Sequence, residues 1–163
     1  MITKHPFHLQ MLEKEAKVRG IYISVSCHVE TVMLALIAVC EEPVVSKRKK
    51  LILSIPYPMG NKFDRCKKAV KTYNPNYYEV FNAQFKAIEY LIKSRNMLCH
   101  GQSNFDANRK DKSFIDFTWI NEGKERVDRI VVGEYINMLK PYFFDHVYKL
   151  YTLHAKISEE RGE

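Results

Sequence analysis

Apolar side chains return every three or four positions across the first quarter of the chain: Ile21, Val25, Val29, Val32, Leu36 and Val39. That is the repeat of one helical face. It predicts a long helix over residues 7–42, with Gly20 as a point of bending and Glu41-Glu42-Pro43 as its stop. The same repeat runs through Val80, Phe81, Phe85, Ile88, Leu91, Ile92 and Leu98, predicting a helix over 77–100 with Gly101 as its C′ residue. A third stretch, 133–158, repeats through Tyr135, Ile136, Leu139, Phe143, Val147, Leu150 and Leu153, with Pro141 as a kink.

Between the long helices the pattern is less regular. NKFDRCKKAVKT (61–72) predicts a short basic helix with Phe63, Cys66 and Val70 inward. Residues 54–60 hold two prolines and a glycine and predict a loop, as does GQSNFDANRKDK (101–112), while YNPNYY (73–78) predicts a turn. SFIDFTWI (113–120) and ERVDRIVV (125–132) alternate with a period of two about the turn NEGK, which predicts a β-hairpin. The tail SEERGE predicts a frayed end. The expectation is a mainly α single domain over 1–163: a bundle of long antiparallel helices with a small β-hairpin insertion near 113–132.

Composition sharpens this only in part. The 163 residues include six glycines and six prolines, few enough to favour long helices over a turn-rich β-sandwich. The net charge of +7 favours a polyanionic partner. The four cysteines, Cys27, Cys40, Cys66 and Cys99, have no C-x-x-C spacing and no signal peptide before them, which predicts free thiols in a cytoplasmic protein. The six histidines show no H-x-x-x-H, so no metal site and no cofactor are expected. Residues 20–40 are apolar enough to suggest a membrane span. His28 and Glu30 near the middle argue instead for a buried helix and no membrane partner.

The chemistry concentrates in Arg95-Asn96-Met97-Leu98-Cys99-His100-Gly101. Two accounts compete. Histidine in a last helical turn followed by glycine is an ordinary helix end, favoured by the macrodipole. Alternatively, Asn96 and His100, four apart, share a face, and the amide can orient the imidazole. Arg95 lies roughly 140° around the axis from His100. It would reach the same ligand by curling back, by loosening of the helix at Gly101, or across a two-fold axis from a second copy. Arginine offers a planar fork to phosphate oxygens and histidine exchanges a proton near neutral pH, so a phosphodiester suits the group.

Arg95-Asn96-x-x-x-His100 resembles the R-x(4–6)-H signature of the HEPN superfamily (higher eukaryotes and prokaryotes nucleotide-binding). The polar residue after the arginine and the glycine after the histidine are also similar to many members. The resemblance covers these seven residues and, through their helical context, about 77–101. It implies an α-helical bundle and a metal-independent endoribonuclease of a defence or toxin–antitoxin type system. Such an enzyme works as a homodimer with a shared cleft, with Arg95, Asn96 and His100 catalytic and RNA as substrate. It also implies a possible partner, an antitoxin or a defence complex. One subgroup carries a tyrosine two residues after the histidine that its antitoxin modifies; here that position is Gln102, which puts such regulation in doubt. The alternative within the resemblance is a non-catalytic module that binds RNA, a nucleotide or a protein. Outside it stands a plain helical interaction protein.

Further residues bear on these expectations. Glu30 is either an ion-paired boundary residue or, as the resemblance implies, a support for Arg95. His28 is expected in the core or a groove. Lys47, Arg48, Lys49 and Lys50, with Lys62, Arg65, Lys67, Lys68 and Lys71, form either a solvated face or an RNA-backbone track. Tyr73, Tyr77 and Tyr78 are either base-stacking platforms or packing aromatics.

Overall fold

The computed structural model describes residues 6–55, 58–104, 111 and 113–163; the side chains of 6–8, 121, 139, 140, 143 and 144 lie outside the description. The chain is mainly helical with one small antiparallel sheet. Its order is α1 (Pro6–Glu41), α2 (Val45–Ser54), α3 (Met59–Tyr73), α4 (Pro75–Val80), α5 (Asn82–His100), β1 (Gln102–Asn104), β2 (Phe114–Asn121), β3 (Lys124–Val131) and α6 (Val132–Tyr142). A π-helical segment (Phe143–Tyr148) and α7 (Lys149–Glu160) complete it. The chain packs as two compact units, one of Met1–Val25 with Lys93–Pro141, the other of Ser26–Ile92 with Tyr142–Glu163.

The first unit joins the start of α1 and the end of α5 to the sheet. Met11, Val18, Tyr22 and Val25 of α1, Met97 and Leu98 of α5, Ile115 and Phe117 of β2 and Ile130 of β3 are its main buried side chains. Tyr22, rather than the expected Ile21, takes the inward position, stacking on Tyr135 at 5.8 Å between ring centroids. The hairpin is as expected, with a two-residue turn at Glu122-Gly123 whose positive φ angles of 52° and 74° match the twist of the strands. The segment after Gly101, expected as loop, contributes β1 to the other side of β2, so the insertion is a three-stranded sheet ordered β1-β2-β3. Residues 105–110 and 112 of that expected loop lie outside the described residues.

The second unit is helical throughout. Val29, Val32, Leu36 and Val39 of α1 are buried, as are Phe63, Cys66 and Val70 of α3 and Leu150, Leu153 and Ile157 of α7. By length and composition α1 is apolar enough to cross a membrane; about half of that stretch is buried within the protein, while Leu12 and Ile23 on it are exposed. SKRKK belongs to α2, a helix with no buried residue. The expected turn at 73–78 is a helix start: Asn74 accepts from the Asn76 backbone N–H at 3.0 Å and Pro75 sits in the first turn. The long helix expected from 77 therefore breaks at Phe81 and resumes at Asn82, leaving Val80 exposed rather than inward.

Pro141 does not end its helix. It is followed directly by the π-helical segment, where the ladder lost at a proline widens. Leu139 and Phe143, expected inward, lie among the side chains outside the description. The tail is not frayed: α7 runs to Glu160, and the Glu163 carboxylate forms a bidentate pair with Arg48, one arm at 2.5 Å. That guanidinium holds the Glu163 carboxyl below the usual carboxylate range.

His154 and His146 give this unit a pH dependence. Burial, helped by Arg48 for His154 and by Lys149 for His146, lowers both from the ordinary value of 6.5. A histidine held neutral in the fold binds its proton more readily once unfolded. Its contribution is therefore complete above pH 6.5 and is lost as the pH falls below it. Thermal melts across that range should show a falling midpoint on acidification, and His154→Gln should flatten the fall. A wild-type midpoint that rises on acidification would contradict this account.

Candidate active site

The seven-residue motif closes α5, and the fold presents it in a definite way. Met97 and Leu98 turn into the first unit at 6% and 2% exposure, so Asn96, Cys99 and His100 must turn out, with Arg95 half-buried between. Among the described residues, the side chains of Arg95, Asn96 and His100 form no hydrogen bond or ion pair. The helix runs regularly to His100 and does not loosen before Gly101, so Arg95 stays roughly 140° from His100 about the axis.

Gly101 follows the helix as expected, but for a different reason. Its φ is not among the positive ones, so it is not a left-handed cap. Its N–H donates to the Met97 carbonyl at 2.6 Å, and an added Cβ would stand 2.4 Å from that oxygen and 3.4 Å from the Thr118 carbonyl. Glycine is required here by space. Gly101→Ala is expected to destabilise the chain by about 1–3 kcal/mol, the usual cost of forcing a methyl into packed backbone. Urea unfolding against the wild type measures it, and an unchanged midpoint would show that the turn yields without cost.

Behind that turn stands an arginine that sequence reasoning missed. Arg19 donates to the Gly101 carbonyl at 2.9 Å and to Glu15 at 2.7 Å, and its guanidinium lies 5.0 Å from the Phe117 ring centroid. The other oxygen of Glu15 accepts from Ser103 at 2.8 Å. Arg19 thus places a cation at the carbonyl end of α5 and ties α1 to the residues on either side of Gln102. The Glu15–Arg19 pair is legible as an i, i+4 spacing; its target 82 residues away is not.

The remaining sequence candidates lie in the second unit. Glu30 is held by Lys62, whose ammonium is buried; this is the ion-pair alternative for Glu30, and it takes Lys62 out of the expected cationic track. His28 is exposed rather than in the core, its carbonyl accepting from the Tyr151 hydroxyl at 3.3 Å. Arg48 is spent on Glu163 and on the Glu42 carbonyl at 2.8 Å, which removes it from the expected cationic track. Lys47, Lys49 and Lys50 remain exposed on α2. Lys67 pairs with Asp64 at 3.2 Å and covers the Phe63 ring at 4.4 Å. The tyrosines are packing residues: Tyr73 and Tyr77 both donate to Glu160, and Tyr78 stacks on Phe85 at 5.4 Å.

Lys68 lines an open groove of about 750 Å³ with Cys40, Glu41, Arg65, Thr72 and Tyr73. Arg65 donates to Glu41 at 2.6 Å, so part of the groove's positive charge is balanced within the chain. Burial pushes the Cys40 thiol up to about 12 and raises Cys66 as well, so neither supplies a thiolate at neutral pH. All four cysteines are free. Among the described residues no group of three or more His, Cys, Asp or Glu side chains converges.

No family model, no curated protein and no solved structure matches this chain.

Proposed function

We propose that the chain is a metal-independent endoribonuclease of the HEPN type, with Arg95, Asn96 and His100 as its chemical group. The observation that carries this is one of availability. Arg19, Arg48, Arg65, Arg129 and Arg161 are each engaged with a carboxylate or carbonyl, and of the described arginines only Arg95 and Arg126 are not. Arg95, Asn96 and His100 sit together at one helix end with no such engagement among the described residues. In a helix end that serves stability, such groups can bond the last carbonyls. Here Arg19 takes that role at Gly101.

In this reading the imidazole of His100 takes the proton of an RNA 2′-OH. The 2′-oxygen bonds to phosphorus, and the bond to the 5′-oxygen breaks. Arg95 bears on the negative charge gathered on the phosphoryl oxygens. A second imidazole, the His100 of another copy, returns a proton to the leaving 5′-oxygen. Asn96, one turn before His100, orients the ring. The separation of Arg95 and His100 around a regular helix supports a cleft shared by two copies over one built from a single chain. The exposed Lys47, Lys49 and Lys50 serve as contacts to the phosphate backbone, and an antitoxin or defence-complex partner would occlude the same helix end.

Purified protein incubated with mixed-sequence RNA in EDTA tests the proposal. Products ending in 2′,3′-cyclic phosphate and 5′-OH are expected. Intact RNA that is nonetheless bound would support the non-catalytic binding module instead, for which the groove beside Arg65 and Lys68 offers a second cationic surface.

A further inference from the structure

β3 is an open edge. It pairs with β2 on one side, no strand among the described residues pairs with the other, and Lys124 through Arg129 are all exposed. The two-residue turn makes Asn121–Lys124 a hydrogen-bonded pair, and such pairs recur every second residue. The Val132 N–H donating to Ser113 at 2.8 Å keeps that parity past the end of the strand. Lys124, Arg126, Asp128 and Ile130 therefore turn their backbone groups towards β2. Glu125, Val127 and Arg129 turn theirs away, towards an absent neighbour.

We infer that this edge is the seam of a homodimer in which β3 pairs antiparallel with β3 of a second copy, with Val127 on the two-fold axis. The charge order of Glu125-Arg126-Val127-Asp128-Arg129 carries the inference. With Val127 opposite Val127, Arg126 falls opposite Asp128 and Glu125 opposite Arg129, each pair twice by symmetry; Arg129, which pairs with Asp116, and Asp128, which accepts from Trp119, would each add the cross-seam partner to the one they hold. Opposed residues project to the same face, so all four charged pairs join opposite signs. The backbone agrees, since the outward groups of Glu125, Val127 and Arg129 then meet outward groups of the other copy. An axis at any neighbouring residue sets Glu125, Arg126, Asp128 or Arg129 against itself. Charges scattered merely to keep an edge solitary would carry no such order. Val127, 62% exposed, would be covered by its own image. This inference does not rest on the nuclease reading.

Sedimentation of the full chain over a concentration series tests it. The wild type is expected to dimerise reversibly, and more weakly at high salt. Val127→Pro removes an N–H that β2 does not use, and should weaken the dimer at least tenfold with the circular dichroism melt kept. Arg126→Asp and Asp128→Arg each set like charges across the seam, so each should lose this self-association alone. Mixed in equal amounts they restore both pairs and should dimerise with one another. That rescue also shows that neither variant has simply misfolded. A wild type that stays monomeric overturns the inference. So does self-association that Val127→Pro and both reversals leave undiminished, for then β3 is not where the copies meet.

Discussion

His100→Ala is expected to lower RNA cleavage by about 10²–10⁴-fold, the usual contribution of a positioned acid–base group. The fold should not notice the change. The imidazole is exposed, and among the described residues it holds nothing. Surface substitutions of this kind move stability by no more than about 0.5 kcal/mol. Arg95→Ala should show a comparable loss of cleavage. Arg95→Lys should recover only a part, because an ammonium keeps the charge but not the planar fork that meets two phosphoryl oxygens. Single-turnover cleavage in EDTA, beside thermal melts of each variant, measures both halves. Cleavage that survives His100→Ala undiminished would return the motif to an ordinary helix end.

The second large effect concerns Glu30. In the structure its carboxylate balances Lys62, whose side chain is 3% exposed while that of Glu30 is 32% exposed. Withdrawing the carboxylate from a buried ammonium is costly, because the charge keeps its desolvation and loses this attraction. Glu30→Ala should therefore cost about 3 kcal/mol, at the low end for a buried pair since Glu30 is partly wet. Glu30→Gln, which retains an acceptor, should cost less. Replacing both partners, Glu30→Leu with Lys62→Met, should restore much of the loss by removing the buried charge altogether. Cleavage per folded molecule should be unchanged in all three. A Glu30→Ala protein of full stability but reduced cleavage would assign the residue to the support of Arg95 instead. Urea midpoints with active-fraction kinetics separate the two.

Much of the architecture was legible because it depends on local periodicity. The three- and four-residue repeat in Val25, Val29, Val32, Leu36 and Val39 specifies a buried helical face wherever that helix packs. The alternation of Ile115 and Phe117 against Asp116 and Thr118 specifies a half-buried strand in the same way. The outward setting of Asn96 and His100 follows as well, since Met97 and Leu98 between them had to turn in.

What escaped was each feature whose partner is distant in sequence. β1 carries no pattern of its own in three residues; it exists because β2 offers an edge to pair with. Gly101 owes its need for glycine to carbonyls above it in the helix and across the sheet, not to its own torsion. Arg48 belonged to a cationic run in the sequence, yet Glu163, 115 residues later, claims it. Glu30 and Lys62 are 32 apart, and Arg19 and Gly101 are 82 apart. The sequence by itself determined which faces turn inward, because a helix or strand repeats its own geometry residue by residue. Which charges meet, and which remain open to a ligand, only the tertiary structure decided, because opposite charges pair by proximity and the fold alone sets who is near.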